Sequence, residues 1–342
     1  MHNIVRVGAG LLLAAALRAS SPAIAADDAL VAAAQREGHL TWYTTQIVDQ
    51  FAAPAAAAFA KKYGIKVDYV RADPNDIVLR VWNEGKAGRM QADVFDGAPT
   101  VTGLKKVDLV APWVPDGARR LPPQDYDPQG YWVATNIYVM TPAYNTSLVP
   151  KGTEPRTYAD LLDPGWKGRM AWASGTFSAP GFVGVVLSSM GEDKGLAYLR
   201  RLATQNIVNL NVSAREVLDQ TISGEYALAL GTFNYHSVIS AAQGAPIAWI
   251  AMNPSLAYFS VLALAKGAPH ANAAKLFIDF LISEDGQKLL RDADYIPVDP
   301  TVPPRDASLR PDDVNFTAVW FTPEEIDTKM AGWVKVYKDL FQ

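Results

Sequence analysis

Apolar positions along the chain switch repeatedly between period two and helical spacing. HLTWYT reads as a strand, and FAAPAAAAFAKKYG as a helix closed by Gly64. IKVDYVRA is again strand-like. NDIVLRVWNEGKAG is an amphipathic helix, capped by Asn75 or Asp76 and ending at Gly85 or Gly88, and ADVFDG is a short strand. A Pro-rich stretch, 111–129, interrupts the series before the strand pattern resumes in YWVATNIYVMTPAYN.

A second series follows: KGRMAWAS as strand, GFVGVVLSSMG, DKGLAYLRRLATQ and AREVLDQTISG as helices, and YALALG as strand. AYFSVLALAKGAP is strand-like again and leads into one helix, ANAAKLFIDFLISEDGQKLL. Strands alternating with amphipathic helices predict an α/β fold with a mostly parallel sheet. The two extended segments, 131–145 and 255–265, bracket the central series, as expected for a chain that leaves one lobe and returns to it. The expected division is a discontinuous first lobe (26–138 and 259–342) around a second (139–258), with a two-segment hinge between them.

Composition narrows the class. At 342 residues and 49% hydrophobic content the chain can bury a large core. It has no cysteine, which excludes disulfides, thiolate metal sites and thiol catalysis. The N-terminus has a short basic region (His2, Arg6), an apolar run from Val7 to Leu17 and the small-x-small sequence Ala23-Ile24-Ala25. That is the pattern of a cleaved secretory signal over 1–25, although Arg18 interrupts it; the competing readings are a disordered tail or a membrane anchor. The run is shorter than the roughly 20 residues that span a bilayer, so no span is expected in the mature protein. Removing the leader leaves 29 basic and 35 acidic residues, a formal charge of −6 and no basic face for nucleic acid.

YVMTPAYNTSLVP, PRTYADLLDPGWKGRM, SGEYALAL and KGAPHANAAKLFIDFLISEDGQKLL resemble the type 2 solute-binding proteins of ABC importers, in the subgroup that contains the ferric-ion-binding proteins. The resemblance covers most of 30–300. It implies two α/β lobes closing on a small ligand, a cognate permease as partner, a periplasmic location, a monomer and no catalytic step.

In open α/β sheets ligands bind beyond the carboxyl ends of strands, at helix N-termini. Four junctions fit: Thr44-Thr45-Gln46; Asp96-Gly97-Ala98; Ser174 to Ser178, with Thr176 and Phe177; and Asn234-Tyr235-His236. The small and hydroxyl residues there favour an anion, although Ser, Thr and Asp at such places commonly serve only as helix caps. Iron-binding members of the subgroup set histidine and tyrosine after the first strand, a tyrosine in the serine-rich junction, and paired tyrosines near the fourth junction. This chain has Gln46 and Ile47, Phe177, and Tyr235-His236 in those places. A single phenolate leaves a hard trivalent cation under-neutralised. The expectation is therefore a small organic anion (carboxylate, phosphonate, sulfonate or sugar phosphate), no cofactor and no resident metal. Gln46, Tyr235, His236 and Asn253 would donate or accept hydrogen bonds, His236 more strongly once protonated, and Phe177 would form an apolar wall.

The competing readings are iron held by Tyr235 and His236, His236 as a core residue, and a sensor that docks a signalling receptor. Trp82, Trp172 and Trp249 are expected in the core. Asp93 and Asp96 could pair for acid–base chemistry, but the chain has no nucleophile-elbow, phosphate-loop, dinucleotide or zinc-protease motif.

Overall fold

The computed structural model describes residues 28–174, 177–311 and 316–342; the expected leader lies outside them. The chain opens with α1 (Asp28–Glu37), β1 (His39–Thr44), α2 (Ala53–Tyr63), β2 (Lys66–Arg71), α3 (Pro74–Lys86), β3 (Val94–Asp96), α4 (Ala98–Lys106) and β4 (Val110–Ala111). The long strand β5 (Val133–Asn145) carries it across to β6 (Met170–Ala173), α5 (Ser178–Met190), α6 (Glu192–Ala203), β7 (Val208–Leu210), α7 (Ala214–Ile222), β8 (Leu228–Phe233), α8 (Asn234–Ala242) and β9 (Ile247–Trp249). It returns along β10 (Ser255–Ala265) to α9 (Ala271–Ile282), α10 (Glu284–Asp292) and β11 (Ile296–Pro297), and finishes with β12 (Ala318–Phe321) and α11 (Pro323–Phe341).

Two parallel sets, β2-β1-β3 and β8-β6-β7, are joined by the antiparallel neighbours β10 and β5. Each set buries its own apolar core. Trp42, Phe59, Phe95 and Phe277 lie in the first; Trp172, Phe182, Leu228 and Trp333 lie in the second. The result is the expected two-lobed α/β architecture, with β5 and β10 as the crossing segments. Pro142 falls where the β5–β8 register shifts, between Thr141 and Ala143. Proline has no N–H to give to a ladder and is tolerated at such an irregularity.

The structure departs from the sequence reading in four places. First, α3 begins at Pro74 after Asp73, not at Asn75 or Asp76, and runs through Gly85. Proline is pre-set for the first helical position, which explains the earlier start. Second, the helix expected over 271–290 breaks at Ser283. The Ser283 backbone is extended (φ −71°, ψ 165°), and its side chain accepts the Gly286 N–H to cap α10.

Third, α11 had no counterpart in the sequence reading, and it does not pack where the 259–342 assignment to the first lobe would put it. Ile326, Trp333 and Tyr337 join the second core, whereas Leu309 and Phe316 remain in the first. The chain thus crosses a third time at β12, which pairs in parallel with β10 from Ser255 to Tyr258. Gly184 of α5 makes the seat for α11, because a Cβ there would come within 2.7 Å of the Trp333 ring. Fourth, Trp82 is 36% exposed with the Lys86 ammonium 3.9 Å from its ring centroid, so it is not a core residue. Trp172 is fully buried, and Trp249 is half-buried, edge-on to Phe316.

Candidate functional site

Three of the four junctions gather around the middle of β5 and β10. At the end of β1, Thr44 and Thr45 turn toward β3 instead of toward open space. The Asp96 carboxylate accepts from Trp42 Nε1 at 3.0 Å, Thr44 Oγ1 at 2.5 Å, Thr45 N at 2.8 Å and Thr45 Oγ1 at 2.5 Å. Burial pushes the Asp96 pKa up, and these hydrogen bonds pull against that rise. The hydroxyls expected to face a ligand are therefore engaged by Asp96. What they build is a rigid loop that presents the next residue, Gln46.

Gly97 follows with φ 95°, a conformation open to glycine, and a Cβ there would come 3.1 Å from Thr45 Cγ2. Its N–H donates to Val261 O at 2.9 Å, and Ala98, buried, begins α4. Thr100 Oγ1, in the first turn of α4, is buried without a hydrogen-bond partner among the described residues.

Gln46 reaches into the hinge. Its Nε2 donates to Asn136 Oδ1 and Ser260 Oγ, both at 3.2 Å, and its Oε1 accepts from Tyr138 Oη at 3.2 Å. Asn136 pairs with Ser260, and Tyr138 with Tyr258, across the β5–β10 ladder, so alternation puts all four on one face. Asn136 Nδ2 is buried and has no hydrogen-bond partner among the described residues.

Tyrosines surround this network. Tyr138 lies 5.4 Å from Tyr258, 6.1 Å from Tyr235 and 6.5 Å from Tyr295, centroid to centroid. Burial pushes the Tyr138 phenol up to about 12, and it pushes Tyr235, Tyr258 and Tyr295 well above the ordinary tyrosine range. All four phenols are neutral near pH 7 and serve as hydrogen-bonding groups. Tyr138, Tyr258, Phe233 and Phe177 keep part of their surface open and form an aromatic wall, in which Phe177 meets Tyr258 edge-on at 5.1 Å.

Tyr235 and His236 sit in the first turn of α8, not on the preceding strand, and both are buried. His236 packs between Phe233 and Tyr235, and among the described residues neither ring nitrogen has a hydrogen-bond partner. Burial, with a smaller contribution from Arg215, lowers its pKa to about 3. Against the sequence expectation, His236 is a neutral imidazole across the physiological range, so it offers one N–H and one acceptor and no charge.

Two residues stand apart from this group. Asn253 is exposed, and its Oδ1 accepts from Thr317 N and Thr317 Oγ1, fixing the turn ahead of β12. Ser174 donates its N–H to Leu210 O at 2.8 Å and shares a side-chain hydrogen bond with Tyr337 of α11. Thr176 lies outside the described residues. Sequence reasoning missed Asn136, Tyr138, Tyr258, Ser260 and Tyr295. The period-two alternation in NIYV and AYFS was the available signal for the first four.

Asp93 does not form a catalytic pair with Asp96. Its carboxylate accepts from Thr41 N at 2.8 Å and His270 N at 2.6 Å, and it meets His270 Nδ1 at 3.0 Å, an arrangement that fastens the start of α9. Glu37 binds the Asn272 and Ala273 N–H groups of the same turn. Among the described residues no cluster of three or more His, Cys, Asp or Glu could hold a metal ion, and no helix is long and apolar enough to cross a membrane.

Residues 54–318 match the family model of the bacterial extracellular solute-binding proteins. A putative 2-aminoethylphosphonate-binding periplasmic protein of Salmonella typhimurium is 27% identical over 287 residues, which is 79% of this chain and 78% of the relative. An Fe(3+)-binding periplasmic protein of Serratia marcescens is 25% identical over 249 residues, 68% of this chain and 70% of the relative. Iron-bound HitA of Pseudomonas aeruginosa has the same fold, with a TM-score of 0.75 at 22% identity over 89% of this chain and 99% of its own. So does AfuA of Actinobacillus pleuropneumoniae, a periplasmic binding protein holding fructose-6-phosphate, with a TM-score of 0.73 at 23% identity over 88% and 99%.

Proposed function

The chain belongs to the bacterial extracellular solute-binding proteins, and on that premise we propose that it captures a small organic anion in the periplasm for an ABC importer. The observation that carries the ligand class is the convergence of neutral donors and helix N-termini on an aromatic wall. Gln46, Asn136 and the Tyr138 phenol meet at the hinge, with Asn136 Nδ2 unpartnered among the described residues. The first turns of α4 and α8, carrying Gly97-Ala98 and Tyr235-His236, border the same region. Helix N-termini and uncharged N–H donors favour an anionic group, and Phe177, Phe233, Tyr138 and Tyr258 favour an organic body. The relatives named for an aminophosphonate and a sugar phosphate fit that pattern of anion and carbon frame.

Binding drives closure because ligand held by the first lobe gains contacts to the second only when the two approach. The permease then recognises the closed shape. Native mass spectrometry of gently purified protein, followed by calorimetry with the ligand found, tests the reading. An organic anion whose affinity falls at least tenfold in Gln46→Ala supports it; a ligand with no anionic group overturns it.

Ferric iron is the second reading, favoured by the four clustered phenols and by the iron-binding relative. Against it, Asp96, the buried carboxylate at this site, is engaged by four donors.

A further inference from the structure

Strand alternation gives the hinge a second face. Tyr138 and Tyr258 point toward the site described above, so their neighbours Ile137 and Phe259 point to the opposite side of β5 and β10. On that side is a hollow of about 250 Å³ that Ile137 and Phe259 share with Asp125, Arg310, Trp320 and Thr322. Its volume suits a molecule of amino-acid size.

The charged groups in the hollow are not used by the fold as a pair. Asp125 is 3% exposed, and its carboxylate has no hydrogen-bond partner among the described residues. Arg310 lies within electrostatic reach of Asp125 but not in direct contact with it; two guanidinium nitrogens hold Pro297 O at 3.2 Å and Val298 O at 3.3 Å. A guanidinium carries five N–H groups, so among the described residues Arg310 retains donors beyond those two. The wall beside them is flat and apolar, with Trp320 stacked on Phe259 at 5.2 Å and still 42% exposed.

We infer that this hollow behind the hinge is a second binding site, for a small zwitterion of the amino-acid type. Its ammonium meets Asp125, its carboxylate meets the spare N–H groups of Arg310, and its apolar side chain lies over Trp320 and Phe259. A cation alone is opposed by Arg310, an anion alone by Asp125, and an uncharged apolar molecule leaves both charges unsatisfied. The acid's raised pKa, pushed up to about 6 by burial, has the same origin: a desolvated carboxylate without a close partner.

The test is calorimetry of the full chain with L-leucine, L-methionine and L-phenylalanine at up to millimolar concentration, together with isopentylamine and 4-methylpentanoate, each bearing one charge. At least one amino acid binds saturably, and its single-charge analogues bind at least tenfold more weakly. Asp125→Asn and Trp320→Ala abolish that binding, and Gln46→Ala leaves it unchanged. Trp320 is exposed, so Trp320→Ala supplies a folded variant should Asp125→Asn not fold. No saturable binding of any of the three amino acids overturns the inference. So does binding that survives Trp320→Ala, or that disappears in Gln46→Ala, which would assign it to the other face of the hinge.

Discussion

Tyr235, in the first turn of α8, and Tyr295, just ahead of β11, meet in the first core with their ring centroids 4.8 Å apart. Tyr235 belongs by sequence to the second series of elements, yet its ring is buried in the first core. Beside it, Asn234 Nδ2 donates to Leu309 O at 2.8 Å. These contacts tie α8 to the first core; if α8 moves with the second lobe, opening the cleft separates them.

Replacing Tyr295 with Ala removes the ring contact and shifts the protein toward an open form. An aromatic pair contributes about 0.5–1.5 kcal/mol beyond the area it buries, enough to change an open–closed ratio several-fold. Small-angle scattering of the ligand-free protein should show a larger radius of gyration in Tyr295→Ala. A scattering curve identical to that of the unmodified protein would mean the pair does not hold the lobes together.

Acid should expose His236 as a liability. Its folded pKa is lowered to about 3 from 6.5, so below 6.5 the unfolded chain takes up a proton that the folded chain refuses. Its contribution is complete above 6.5 and falls as the pH drops, by about 1.4 kcal/mol per unit, until the folded pKa is reached. Urea titrations at several pH values should show a shallower acid dependence for His236→Gln than for the unmodified protein. Parallel dependences would show that His236 is not the titrating group.

The α11 seat offers a stability test. Trp333→Ala empties the space over Gly184 and should cost about 3–5 kcal/mol, the range for truncating a large buried aromatic. Gly184→Ala brings a methyl group against the ring and should cost about 1–3 kcal/mol by overpacking. Both are measured by chemical unfolding. Little loss in either variant would indicate that α11 is not integral to the second lobe.

Ferric citrate should leave the ligand-free protein colourless and its melting temperature unchanged, because Asp96, the carboxylate beside the phenols, is already engaged by Thr44 and Thr45. A visible tyrosinate–iron band that disappears in Tyr235→Phe would establish the iron reading instead.

The strands were legible because alternation and apolar runs in HLTWYT, VATNIYVMTPAYN and SLAYFSVLALA depend on local burial alone. Gln46 and Tyr235 could be singled out because they follow strand ends. Tyr138 and Tyr258 were not, since their facing positions exist only once β5 and β10 pair in register. Thr44 and Thr45 misled for the opposite reason. Their hydroxyls looked free, and their partner Asp96 is about fifty positions away, at |i−j| of 52 and 51. The break between α9 and α10 came from Ser283 acting as a cap inside an apolar pattern that reads continuously through it.

β12 alongside β10 and β5 also limits how the molecule can move. Three strands hydrogen-bonded edge to edge make a strip that bends more readily through its thickness than within its plane. Motion of one lobe against the other is then expected to follow mainly one angle. A ligand's size and shape set where on that one coordinate the lobes come to rest, and a receptor that distinguishes loaded from empty protein needs to measure only that angle.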